Sequence, residues 1–280
     1  MNTAVVNLLV YNSTPNIRCG EFVKYLKCVQ KVIITVLMFG LFSNAYGKDD
    51  DKLTIFVDSS YPPYMYKLEG TAADGLYPRL LMAIAKQAGQ KVEIKAYPWK
   101  RALLYSAAGE GALGGAYKND DRDKKYDYSK PLFQEKLVLF VNKNNKFEFN
   151  TLEDLKGKVI GVNRGWSYGQ EFDAARANKL FTVNIRNDPN ENFKMLALGR
   201  IDCLILGKQS GDLYVQYTGL EDQVISLPKA FSVNEGYLII PKVLKMEKLL
   251  NEFNLALLKI KKDGTYNNIV ETFIKGTVAD

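Results

Sequence analysis

The stretch Leu53-Thr54-Ile55-Phe56-Val57-Asp58-Ser59-Ser60-Tyr61-Pro62-Pro63-Tyr64 decides the fold. Its first five residues are apolar or β-branched and give way to turn formers, which reads as a buried strand running into a turn. A helix follows. Gly75 opens it, Leu76, Leu80, Leu81, Ile84 and Ala85 recur at helical spacing, and Gly89 stops it. Residues 91–96 read as a second strand, and Pro98 starts a helix over 99–108. A short strand of small residues, 113–116, then enters a polar loop, 117–123. Alternation of this kind predicts an α/β unit on a mainly parallel sheet.

The pattern restarts further along. Residues 136–143 form a strand rich in Val, Leu and Phe, and Thr151-Leu152-Glu153-Asp154 reads as a capped helical turn. Strands at 159–162, 181–185 and 201–206 alternate with helices at 167–178, 190–198 and 208–217. A returning strand is expected at 236–241, then a long amphipathic helix over 244–262 stopped by Gly264, and a last helix to about residue 275. Two α/β series and a C-terminal return predict two α/β lobes joined by two hinge strands, near 136–141 and 235–240. The expected boundaries are 48–135 plus 235–280 for lobe 1 and 136–234 for lobe 2. In open α/β sheets ligands bind beyond the carboxyl ends of the strands, so the cleft between the lobes is the expected site. Hinge closure around a ligand is the expected motion.

The start of the chain reads as an export signal. Lys24, Lys27 and Lys31 precede an apolar run, 32–42, and the small residues of Ser43-Asn44-Ala45-Tyr46-Gly47 follow it. The run is well short of the roughly 20 residues that span a bilayer. Residues 1–47 are therefore read as a signal peptide cleaved after Ala45 or Gly47, with a mature exported protein starting near Lys48. The segment before Val23 makes the basic region unusually long, which points to a translation start further downstream. Cys19 and Cys28 fall in the removed piece, and neither follows the apolar run as a lipoprotein cysteine would. Cys203 is then alone, with no internal disulfide.

Composition excludes several classes. With no His in 280 residues, Ser-His-Asp and Cys-His nucleophile systems and His-ligated zinc are ruled out. No cofactor or metal is expected. Removing residues 1–47 takes away four basic residues and one acidic one, which leaves a mildly positive chain. Its Lys and Arg are spread out and form no nucleic-acid stripe.

Several segments, in order, carry a family resemblance. They are Asp58-Ser59-Ser60-Tyr61-Pro62-Pro63-Tyr64, Gly75-Leu76, Tyr97-Pro98-Trp99-Lys100-Arg101-Ala102, and Asp121-Arg122 with Tyr128-Ser129-Lys130-Pro131. Further on come Leu152-Glu153-Asp154-Leu155-Lys156-Gly157-Lys158, Gly161-Val162 with Gly165-Trp166-Ser167-Tyr168-Gly169, Leu198-Gly199-Arg200-Ile201-Asp202, and Lys262-Asp263-Gly264-Thr265-Tyr266. Any one is weak, but together they resemble the bacterial extracellular solute-binding proteins of polar amino-acid ABC importers. The resemblance implies a type II periplasmic-binding-protein fold, a small amino-acid-like carboxylate ligand, and an inner-membrane ABC permease as partner. A monomer is expected, because closure rather than assembly does the binding.

The resemblance also nominates residues. It implies that Arg122 grips the ligand carboxylate. A guanidinium offers a planar donor fork and keeps its charge, although an Arg among Asp120, Asp121, Asp123, Lys124 and Lys125 is otherwise a solvated surface residue. Ser167 is expected at a helix start, where free N–H groups favour a carboxylate, or as a plain N-cap. Tyr61, Tyr64, Trp99, Tyr117 and Trp166 are expected to wall the ligand side chain, with lobe packing as the alternative. One departure stands out. Where the family places an Asp for the ligand ammonium, this sequence has Gly207, followed by Lys208. Asp58 is the substitute acid on offer, unless the ligand is not a standard α-amino acid. Gly114 and Gly115 stand where hydroxyl-bearing residues are common, and Asp202 is read as structural. Two other roles compete with transport. Cyclohexadienyl dehydratases share the fold but need a positioned general acid, which no motif nominates; Glu110 and Asp212 are named without support from any motif. Sensor domains share it too.

Overall fold

The computed structural model describes residues 52–278; the segment read as a signal peptide, residues 1–47, lies outside them. In chain order the first elements are β1 (Lys52–Asp58), β2 (Ser60–Tyr61), β3 (Met65–Lys67), β4 (Ala73–Asp74), α1 (Leu76–Ala88), β5 (Lys91–Tyr97), α2 (Trp99–Ala107), β6 (Ala112–Ala116), a single helical turn α3 (Asp120–Asp123) and β7 (Tyr126–Tyr128). The next are β8 (Phe133–Asn142), β9 (Val159–Asn163), α4 (Gln170–Ala177), β10 (Thr182–Arg186), α5 (Pro189–Ala197), β11 (Cys203–Gly207) and α6 (Lys208–Tyr217). The last are β12 (Val224–Pro241), α7 (Glu247–Lys262) and α8 (Thr265–Val278).

Sequence and packing agree on the first half. Ile55 and Val57 of β1 are fully buried, and so are Leu80 and Leu81 of α1; all four belong to one core with Phe253, Leu257 and Ile260 of α7. Gly89 takes the left-handed conformation (φ 69°) that ends α1, as a C-terminal glycine does. β5, β1 and β6 run parallel, and β12 is antiparallel to β6 and β7. The second half repeats the plan. β10, β9 and β11 are parallel, and β8 joins β11 antiparallel. Leu139, Val141, Ile160, Phe172, Phe181 and Ile205 form its core. β12 belongs to both sheets. It pairs with β8 from Val224 to Gly236 and then with β6 and β7 from Tyr237 to Pro241. The result is two α/β lobes whose connection runs through β8 and β12, the two strands in which the sequence places its hinges.

Four details differ from the sequence reading. The returning strand begins at Val224, twelve residues before the expected start at Gly236. Pro228 lies inside it, and the register slips between Ser226 and Ala230 and between Ala230 and Ser232. A proline has no N–H for the ladder and is tolerated at such irregularities. The helix expected from Ser167 begins only at Gln170, because Gly169 (φ 99°) holds the N-cap position. The turn after β1 hides a three-stranded ribbon, β2-β3-β4, too short to show a period. The helix expected from residue 244 starts at Glu247, after a tight turn that ends at Lys245 (φ 51°).

Candidate functional site

A small cavity lies where the carboxyl ends of the parallel strands of both lobes meet. Asp58 is the last residue of β1, and Tyr117 follows β6 directly. Tyr61, Met65, Trp99, Gly115 and Arg122 complete the wall from this lobe, and Trp166 and Ser167, from the loop after β9, close it from the other.

Arg122 is drawn inward by its one-turn helix. Asn119 Oδ1 accepts the Arg122 backbone N–H at 2.9 Å, and the side chain is only 6% exposed. Its guanidinium donates to the carbonyl oxygens of Tyr117 (2.6 Å) and Gly165 (3.3 Å) and lies 5.5 Å from the Trp99 ring centre. Burial lowers its pKa, because the cation has left water without a carboxylate beside it. Ser167 is also buried, and its hydroxyl has no hydrogen-bond partner among the described residues. A buried cation and a buried unpartnered hydroxyl therefore line one cavity. Both deficits would be met by a carboxylate.

The aromatic wall is held from behind. Trp99 Nε1 donates to Gly165 O at 3.0 Å, and Trp166 Nε1 donates to Asp58 Oδ2 at 2.8 Å, so each indole bridges the two lobes. Tyr61 meets Trp166 edge-on at 4.6 Å between ring centres. Asp58 takes two further bonds on Oδ1, from the N–H and the hydroxyl of Ser60. Burial pushes its carboxyl up to about 6, against the lowering by those bonds. Tyr64 differs from the rest of the nominated set. It is fully buried, donates to Gln209 Oε1 at 2.6 Å and packs against Tyr77 and Phe273 beneath the cavity rather than along it. Glu110 is exposed, and Asp212 pairs with Lys208 at the surface. Neither lines the cavity. Among the described residues, no cluster could hold a metal ion. Cys203 is buried, and burial pushes its thiol up, away from a reactive thiolate.

Position 207 explains itself in space. A Cβ there would collide with the Tyr61 hydroxyl and lie 3.0 Å from Tyr64 Cε2. The tyrosines occupy the room of the missing side chain. Gly207→Ala is expected to cost about 1–3 kcal/mol as overpacking, read as a lower thermal midpoint of the ligand-free protein. An unchanged midpoint would mean that Tyr61 moves aside freely.

The sequence reading passed over Glu135. It is 1% exposed, its Oε2 accepts the Tyr61 hydroxyl at 2.5 Å, and its Oε1 accepts the Tyr77 hydroxyl. Burial pushes its carboxyl up to about 7, opposed by the bonds from Tyr61, Tyr77 and Tyr117. One signal was present: in β8, Glu135 falls on the face of Leu137, Leu139 and Val141, so period 2 turns a charge inward.

Two α/β lobes that face each other across an aromatic-walled cleft with a buried cation in it have the architecture of a ligand-capturing receptor. The chain belongs to the bacterial extracellular solute-binding proteins, family 3, whose sequence profile matches residues 53–276. It is 27% identical over 233 residues to the L-cystine-binding protein TcyJ of Escherichia coli K12, covering 82% of this chain and 85% of that one. Among solved structures, an ancestral arginine-binding protein bound to arginine superposes with a TM-score of 0.70 at 28% identity, over 81% of this chain and 99% of the other. A histidine kinase sensor domain superposes with a TM-score of 0.71 at 20% identity, over 79% and 95%. That second likeness speaks for the type II fold alone.

Proposed function

We propose that this protein captures a free amino acid outside the cytoplasmic membrane and delivers it to an inner-membrane ABC permease. The ligand α-carboxylate sits on Arg122 and Ser167, and Tyr61, Trp99, Tyr117 and Trp166 wall its side chain. The supporting observation is the pairing of a buried guanidinium that donates to carbonyls and lies by a ring with a buried hydroxyl that has no hydrogen-bond partner among the described residues. Relatives whose names record L-cystine and arginine as ligands support the same class. Lobe 1 comprises residues 48–135 plus 235–280 and lobe 2 residues 136–234, in a monomer that closes about β8 and β12. Export through a cleaved signal within residues 1–47 would place it in the periplasm.

The test is ligand screening by thermal shift on protein unfolded and refolded to strip any bound solute. L-Cystine, L-arginine and the other amino acids are screened beside small carboxylates without an amine. Ligand at about 100 times its Kd stabilises by roughly 2.7 kcal/mol, which at about 2–4 °C per kcal/mol is a shift of some 5–11 °C. If no amino acid moves the midpoint, the proposal fails. A dehydratase is the second reading, because Asp58 brings a carboxyl titrating at about 6 to the cavity wall. Recovery of the ligand unchanged after incubation excludes it.

A further inference from the structure

Position 207 offers no acid to an ammonium, yet the wall beside it is tied to one. The Tyr61 hydroxyl that fills the space of a 207 side chain donates its proton to Glu135 at 2.5 Å, and it lies 3.4 Å from the Tyr117 hydroxyl. Both tyrosines line the cavity; Glu135 and Tyr77 do not. Space has been cleared for this arrangement at two glycines. A Cβ at Gly207 would strike the Tyr61 hydroxyl, and one at Gly236 would strike the Tyr77 hydroxyl, the second donor to Glu135. A tyrosine that commits its proton to a carboxylate turns its remaining lone pairs outward as an acceptor. In a medium of low polarity, the charge behind it polarises that hydroxyl further.

We propose that Glu135 is the specificity-determining counter-charge for the ligand ammonium, acting through the Tyr61 and Tyr117 hydroxyls in place of an acid at position 207. It touches no ligand and positions the groups that do. Among the described residues Asp58 is the only acid on the cavity wall, and each of its oxygens is already engaged, Oδ1 by Ser60 and Oδ2 by Trp166. The relay explains how a chain with Gly207 can remain an amino-acid receptor, and it rests on that reading of the site.

The experiment is calorimetric titration of wild-type protein and Glu135→Gln with ligand pairs that differ only at the α-amine. The pairs are L-arginine against desamino-arginine and L-cystine against dithiodipropionate. The readout is the ratio of affinities within a pair. In wild type the amine-bearing member binds more tightly. In Glu135→Gln that ratio is expected to fall by roughly tenfold or more, a factor that corresponds to about 1.4 kcal/mol. Tyr61→Phe removes the relay hydroxyl and leaves Glu135 in place, so it should lower the ratio in the same direction and guards against a folding defect in the first variant. If both variants weaken the two members of a pair equally, or leave the ratio as it was, Glu135 is a structural buttress and the inference is overturned. If wild type binds neither amino acid of these pairs nor any other in the screen, the amino-acid reading falls and takes this role with it.

Discussion

Replacing Arg122 with Ala is expected to weaken capture of the carboxylate ligand at least thirtyfold or so while leaving the fold intact. Among the described residues the guanidinium is the only cationic group on the cavity wall, and it is buried. Truncating one partner of a buried, hydrogen-bonded charge pair costs roughly 2–5 kcal/mol, so affinity should fall from about thirtyfold to several thousandfold. The ligand-free protein should not suffer in proportion. Arg122 bonds there only to the carbonyls of Tyr117 and Gly165, and its charge has been desolvated without an anion. Losing it removes that cost together with two hydrogen bonds, so the apo midpoint should hold or rise slightly. Arg122→Lys separates charge from shape. A lysine keeps the positive charge but loses the planar fork, and affinity should land between wild type and Ala. Titration calorimetry reads both variants. An affinity for the Ala variant within about threefold of wild type would place the carboxylate elsewhere in the cleft.

How much of this could be read before the fold was known depends on how far each signal travels along the chain. Helix α6 was legible to the residue, because Gly207 before it and Tyr217 at its end bracket a plain helical pattern. β1 was legible because Leu53 to Val57 are apolar and followed by turn formers. The ribbon of β2, β3 and β4 was not, since two- and three-residue strands are fixed by the body of the lobe around them and carry no period of their own. The sequence shows only the last third of β12, because Pro228 and Lys229 look like a loop and only the pairing with β8 overrules that. The site divides in the same way. Arg122, Trp99, Tyr61, Tyr117, Trp166 and Ser167 come together at one cavity, as loops at strand ends should. Tyr64 stands three residues from Tyr61 in the same turn, but the turn reverses it into the core. Ser167 was expected to cap a helix. It sits three residues ahead of one, so its hydroxyl rather than a helix end is what it offers. Glu135 belongs to a strand that otherwise looks like core. Its partners lie 74 and 58 residues away in the chain, beyond the reach of any local pattern.

Two buried carboxyls make stability fall as pH rises from acid to neutral. Asp58 has its carboxyl pushed from 3.8 to about 6, and Glu135 from 4.5 to about 7, each chiefly by burial. A folded-state pKa above the unfolded value means that the folded protein holds more protons between the two. The stabilisation is complete below the unfolded value and is lost as pH climbs through the folded one. For Glu135 the window is about 4.5 to 7, and a shift of that size corresponds to roughly 3 kcal/mol. Asp74 works in the opposite sense. Its pairing with Arg79 lowers its pKa, so what it contributes is lost only in stronger acid, and the two effects separate on the pH axis. Chemical denaturation at pH 5 and pH 8 should therefore find ligand-free wild type weaker at pH 8, and Glu135→Gln should remove roughly 3 kcal/mol of that difference. If the variant keeps the full wild-type slope, the carboxyl of Glu135 titrates in the ordinary range. The same linkage couples to capture. An ammonium held by the tyrosines favours the ionised carboxylate behind them, so binding near pH 6.5 should expel a proton from Glu135. Titrations in buffers of different ionisation enthalpy would read that proton directly, and its disappearance in Glu135→Gln would assign it. In wild type the ligand should then raise the midpoint more at pH 8 than at pH 5, because it relieves a buried charge that exists only at the higher pH.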